Sequence, residues 1–148
     1  MAAYNKFNVF VENLTIKLMD LFGTGGGADV LKCMLTNTAP VATNSVKADL
    51  TEIAAGNGYT AGGNDATLNG TRTTGTYTAN CTNITWTAAG GTIGPFQYIA
   101  LYDDTPTSPA DPLISWWDYG SALTLADGES FTIKFNNGAS NGTAFTIA

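Results

Sequence analysis

Histidine is absent from this sequence. With it go the Ser-His-Asp and Cys-His arrangements, and any imidazole that could bind zinc or act as a base near neutral pH. Lysine and arginine number only 6, scattered singly along the chain, against 12 acidic residues. A net charge of −6 without a basic cluster argues against nucleic acid and against an anionic membrane surface. Its acidity serves solubility and spacing between copies. The two cysteines, Cys33 and Cys81, lie far apart and make no Cys-x-x-Cys, so zinc and dithiol redox chemistry are not expected. Each is expected to be buried singly in a strand as a free thiol. No apolar run approaches the length of a membrane span. No secretory signal opens the chain, so synthesis in a cytoplasm is expected. The five Asn-x-Thr sites at Asn13, Asn69, Asn80, Asn83 and Asn141 then read as strand-and-turn composition rather than as glycosylation.

Charged residues make up 12% of the chain, roughly half the usual share. Hydrophobic residues at 44% and aromatics at 11% supply a core that a disordered tail would lack. The 148 residues suit one domain, large enough to need neither metal nor disulfide for stability.

One helix stands out near the N-terminus. Phe7, Phe10, Val11, Leu14, Leu18, Leu21 and Phe22 follow three-and-four spacing, with Gly23 as C-cap. The chain therefore divides into an amphipathic helix over 1–23, a glycine-rich hinge over 24–29, and a β domain over 30–148. The helix either caps the β domain or reaches across the hinge to a neighbour. The glycine run follows a helix and lacks the Gly-Lys-Ser/Thr ending, which is the wrong order for a phosphate loop.

Strands are expected in 29–37 and over 66–71, 75–81, 83–87, 96–103, 113–119, 129–135 and 143–147, the later ones separated by Gly, Asn, Asp or Pro. A short helix is expected around Ser45–Ile53. Asp127-Gly128, between runs that alternate at Leu123 and Leu125 and at Phe131, Ile133 and Phe135, reads as a hairpin turn. The fold class is mainly β: an antiparallel sandwich, with a jelly roll as one natural topology, plus one N-terminal amphipathic helix.

Two acidic features bear on chemistry. Asp103, Asp104 and Asp111 share a proline-rich loop, but without the alternating ligands of an EF-hand they read as Asx-turns between strands. Asp118 beside Trp117 and Tyr119 imitates half of a glycosidase pair; an edge-of-sheet turn is the plainer reading. No catalytic residue, cofactor or metal is expected. In "DPLISWWDYG", alternation puts Ile114 and Trp116 on one face and Ser115, Trp117 and Tyr119 on the other. Ile114 marks the inward face, so Trp116 is expected inward. Trp117 and Tyr119 are then expected outward or under the helix, in internal packing, a protein interface or a sugar-stacking platform.

"LTNTAPVATNSVKADLTEIAAGNGYTAGG", "GPFQYIALYDDT", "PLISWWDYG" and "LTLADGESFTI" together resemble a family of small β-rich virion proteins of tailed bacteriophages and prophages. The likeness runs from about Val30 to the C-terminus. It is most specific in "EIAAGNGYTAGG" and in "WWDYGS" with "LADGES". It implies a virion structural protein, and the size and β-rich make-up are similar to those of capsid cement, or decoration, proteins. The implied partners are the major capsid protein and further copies of the chain, as dimer or trimer, on the outer capsid surface. Phe7, Phe10, Leu14, Trp117 and Tyr119 are the expected protein interface. A tail or tail-fibre component and a carbohydrate-binding attachment module are the alternatives.

Overall fold

The computed structural model describes residues 4–22, 28–135 and 141–148. Among these, the elements in chain order are β1 (Tyr4–Lys6), α1 (Val9–Thr15), β2 (Leu31–Thr36), β3 (Asn64–Asp65), β4 (Leu68–Thr73), β5 (Thr76–Thr82), β6 (Ile84–Thr87), β7 (Ile93–Asp103), β8 (Leu113–Leu125), β9 (Ser130–Ile133) and β10 (Asn141–Ile147). A five-stranded sheet has the order β1-β8-β7-β2-β3. A three-stranded sheet, β10-β5-β4, and a two-stranded ribbon, β6-β9, form the second layer. Every pairing between these strands is antiparallel. This is the mainly β, sandwich-like architecture that the composition implies; no jelly-roll assignment follows from the strand order.

The large sheet is covered on both faces. On its inner face Leu31, Cys33, Leu35, Ile99, Leu101 and Trp117 meet Cys81, Ile84, Trp86 and Phe145 of the second layer in one core. On its outer face Met34, Ala100, Tyr102 and Leu113 are covered by Phe7 and Leu50. A half-buried strand would show strict alternation; β2 reads Leu-Lys-Cys-Met-Leu-Thr because both of its sides are packed.

The N-terminal segment belongs to this sheet. The expected helix over 1–23 is instead a strand followed by a seven-residue helix. Tyr4, Asn5 and Lys6 pair with Trp117, Trp116 and Ser115, and the Phe7 N–H continues to the Ile114 carbonyl at 3.2 Å. The helix ends at Thr15, well before Gly23. Lys17 takes the left-handed conformation (φ 59°), the Leu18 N–H reaches the Asn13 carbonyl, and the Lys17 N–H reaches that of Leu14. Those are the two bonds of a Schellman cap, made here without glycine. The segment thus caps the sheet within its own chain. Residues 23–27, which hold most of the expected hinge, lie outside the described residues.

Two turn expectations need correction. Asp127-Gly128 joins β8 to β9, which lie in different layers, so it makes no hairpin. The Glu129 N–H bonds to the Ala126 carbonyl at 2.9 Å, and of the two central residues only Gly128 has positive φ (85°). That is a type II turn, whose twist splays the flanking strands. The two-residue hairpin turn is Thr74-Gly75, with φ 48° and 89°, between β4 and β5. Both angles are positive, as a type I′ turn requires. The expected helix at Ser45–Ile53 is a single 3-10 turn, Lys47–Asp49, with the Asp49 carboxylate accepting the N–H groups of Ser45 and Val46.

Candidate functional site

The region around the two tryptophans was the expected interface, and β8 controls it. Leu113 lies opposite Tyr102, and Ser115 opposite Leu101, so Ile114 is an extra residue in the ladder. Such a bulge shifts the alternation by one position. Ile114 and Trp117 consequently both belong to the inner core, and Trp116 goes to the outer face against Phe7. The expectation of Trp116 inward is therefore corrected, and of the readings open for Trp117 internal packing is the one observed: it is 5% exposed. Its ring meets Tyr4 at 6.0 Å and Phe135 at 5.3 Å, both edge-on. Trp116 is half-buried, its ring centroid 4.4 Å from that of Phe7.

Phe7 and Phe10 are buried as well, Phe10 edge-on to Phe145 at 5.2 Å, and Leu14 is half-buried. None of these three forms a free apolar stripe, because β1 and α1 lie down on the sandwich. Of the five expected interface residues, Tyr119 alone is well exposed, at 50%. Between the pairs Phe96↔Leu123 and Tyr98↔Asp118, β7 contributes one residue and β8 contributes residues 119–122, so this stretch bulges away from the ladder. Asp118 holds its base: Oδ1 accepts the Gly120 N–H at 2.7 Å and a Gln97 side-chain N–H at 3.0 Å. This is the turn role expected of Asp118. The Tyr119 ring leans edge-on against Phe131 at 5.6 Å. Val11 on the helix and Ile16 just past its end point outward, 49% and 62% exposed. Sequence reasoning missed them as surface residues because Val11 fits the apolar spacing and Ile16 follows the early helix end.

The stretch "EIAAGNGYTAGG" forms a clamp along β2, with Glu52 bridged to Thr36 and the Ile53 N–H on the Leu35 carbonyl. Glu52 Oε1 accepts the Tyr59 O–H at 2.7 Å and the Gly62 N–H at 2.5 Å, while Oε2 meets Lys47 Nζ at 3.2 Å. The Tyr59 oxygen accepts the Leu35 N–H, and the Tyr102 O–H donates to the Gly62 carbonyl at 2.8 Å. Burial pushes the Tyr59 and Tyr102 hydroxyls well up, so both stay protonated as donors. Gly63, at φ 81°, lies where a Cβ would run into the Cys33 carbonyl. In "LADGES", Asp127 accepts the Gly90 N–H and Glu129 accepts that of Ala126. The polar groups of the first stretch therefore fasten a loop to β2, and those of the second fasten a turn to itself and to the loop at Gly90.

Asp103 is fully buried at the end of β7, facing inward beside Leu31. Oδ1 accepts the Thr105 N–H, the Asx-type contact expected of this loop. Burial is the main cause that raises its carboxyl well above the usual range. Asp104 pairs with Lys32 at 2.8 Å on the surface. Cys33 and Cys81 are buried free thiols, both pushed up by burial, as expected for cysteines that fill space.

Two clefts adjoin the α1 side. One of about 300 Å³ is lined by Leu14, Met19, Leu21, Phe22, Tyr77 and Ile147, with Asp20 at its edge. Another of about 240 Å³ lies between Leu21, Leu31 and Leu68. Among the described residues no group of three or more acidic or cysteine side chains is placed to hold a metal ion. No helix among them is long and apolar enough to cross a membrane. Comparison with protein-family models, with curated proteins and with solved structures finds no match to the chain.

Proposed function

We propose that the chain is a bacteriophage virion structural protein that binds the major capsid protein shell as a cement protein. One observation carries the reading: the N-terminal segment closes the sandwich within its own chain, leaving separate exposed apolar side chains at Tyr119, Val11 and Ile16. A cement subunit has to be a finished, rigid block before it meets a lattice. Each contact can then be small, because many copies bind side by side and weak contacts add across the shell. The low charge and the loop-fastening role of both distinctive stretches fit a building block held together for durability.

The carbohydrate-binding alternative relied on Trp117 as a stacking platform, and that ring lies under Tyr4 and Phe135. Tail location is the rival that the same experiment separates. The test is the copy number of this chain in purified virions, measured by mass spectrometry against the major capsid protein. A stoichiometry comparable with the shell protein is expected. A stoichiometry matching the tail proteins overturns the cement role.

A further inference from the structure

Asp103 lies on the inner face of the large sheet, directly opposite Leu31, at 0% exposure. One carboxylate oxygen accepts the Thr105 N–H at 3.1 Å, and among the described residues no N–H or hydroxyl donates to the other, Oδ2. A buried carboxylate oxygen without a donor is costly. The carboxyl of Asp29 lies within hydrogen-bonding reach of the Asp103 carboxyl. Two ionised carboxylates repel at that range, whereas a pair that keeps one proton forms a short, strong bond.

The surroundings favour keeping the proton. Asp104 follows in the chain and is engaged by Lys32 of β2 at 2.8 Å. Asp65 of β3 and Asp111 of the 104–112 loop also act on Lys32. From the segment after α1, Asp20 approaches through its backbone: its N–H bonds to Asp29 Oδ2, and its carbonyl accepts the Asp29 N–H at 2.9 Å. Asp20 and Asp104 thus adjoin the pair, and the Lys32 cation is already committed to Asp104.

The contact also has a mechanical position. Val30 donates its N–H to Thr105 Oγ1 at 2.7 Å, and the Asp104 N–H bonds to the Val30 carbonyl at 2.8 Å. Residues 28–30 are therefore stitched to 103–105 around the carboxyl pair. We propose that Asp29 and Asp103 are a proton-sharing latch, which holds residues 28–30 on the rim of the sandwich and loosens them when the shared proton leaves. Acid keeps the latch shut and base opens it.

The test follows the side-chain carboxyl carbons of Asp29 and Asp103, and the amides of Val30 and Asp104, by NMR across a pH titration of the full chain. The Asp103 carboxyl is expected to titrate near 7, far above its ordinary 3.8, with the two amides moving at the same midpoint. In Asp103→Asn, a side-chain amide donates without titrating, so the amide step is expected to vanish while both signals keep their low-pH positions. Asp29→Asn carries the same expectation and serves if the first variant does not fold. An Asp103 midpoint in the ordinary carboxylate range, or an amide step that survives in a folded Asn variant, overturns the latch.

Discussion

The ring of Phe7 lies 4.4 Å from that of Trp116, on the face of the large sheet opposite to Trp117. Two adjacent tryptophans are thereby both covered, one by the N-terminal segment and one by the second layer. Phe7 is 0% exposed. Phe7→Ala should therefore cost about 3–5 kcal/mol of folding stability, and Trp117→Ala a similar amount. Chemical denaturation with both variants checks this. Losses under about 1 kcal/mol would return these side chains to the surface role first expected of them.

The clamp gives a second prediction. Gly63→Ala has to place a Cβ against the Cys33 carbonyl at a backbone angle that side chains rarely adopt. A loss above about 2 kcal/mol is expected. Glu52→Ala, which strands the Tyr59 hydroxyl and the Gly62 N–H, should cost about 2 kcal/mol. The two should not add fully, since both loosen the same loop. Thermal melts of the single and double variants measure that shortfall.

Ser115 makes the opposite case. Its hydroxyl is buried at the β8 bulge with no hydrogen-bond partner among the described residues. Ser115→Ala removes an unsatisfied polar group and leaves a void smaller than a methyl. Stability should hold or rise by up to about 1 kcal/mol. A clear loss on denaturation would mean that the hydroxyl has a partner in solution.

How much of this was legible in the sequence depends on where ladder and pattern agree. β2 and the strands from β4 onward were, because alternation and turn residues report local geometry; β5, β6 and β8 begin within a residue of expectation. β1, read as helix, and the two-residue β3 were not. The fate of Trp117 was not. One extra residue at Ile114 reverses the face of the positions that follow, and a bulge leaves no mark in an apolar run. The helix end was hidden for a similar reason, since Lys17 occupies a conformation usually signalled by glycine. Asp127-Gly128 was rightly a turn, but its type decides whether two strands pair, and type follows from backbone angles. Glu52 and Tyr59 showed as part of a distinctive stretch without a visible reason; only the folded loop brings them onto β2.

Asp103 sets the pH dependence. Its folded-state carboxyl is raised, so between about 4 and 7 the folded chain holds a proton that the unfolded chain has released. Stability is then highest below that window and falls as pH rises through it, by at most about 4 kcal/mol. Asp103→Asn should flatten this slope and melt several degrees above the wild type at pH 8, with little difference at pH 4. Equal slopes in melts of the two proteins would show that Asp103 ionises normally.

The last prediction separates binding from folding. Tyr119 stands on a bulge that already departs from the ladder, and Val11 of α1 and Ile16 just past its end are exposed. Tyr119→Ala keeps the Asp118 contacts that shape the bulge and loses one edge contact with Phe131, so stability should fall by no more than about 1 kcal/mol. Val11→Ser and Ile16→Ser remove exposed apolar area and should be close to neutral for folding. If the chain is a cement protein bound through these side chains, the triple variant should melt near the wild type yet occupy capsids at least about tenfold less, since each exposed aromatic or aliphatic anchor is worth about 1 kcal/mol or more at an interface. Co-sedimentation with capsids stripped of the protein measures this directly. Full occupancy by the triple variant would move the contact surface elsewhere on the sandwich, to the exposed strand β4 or the loops at its ends.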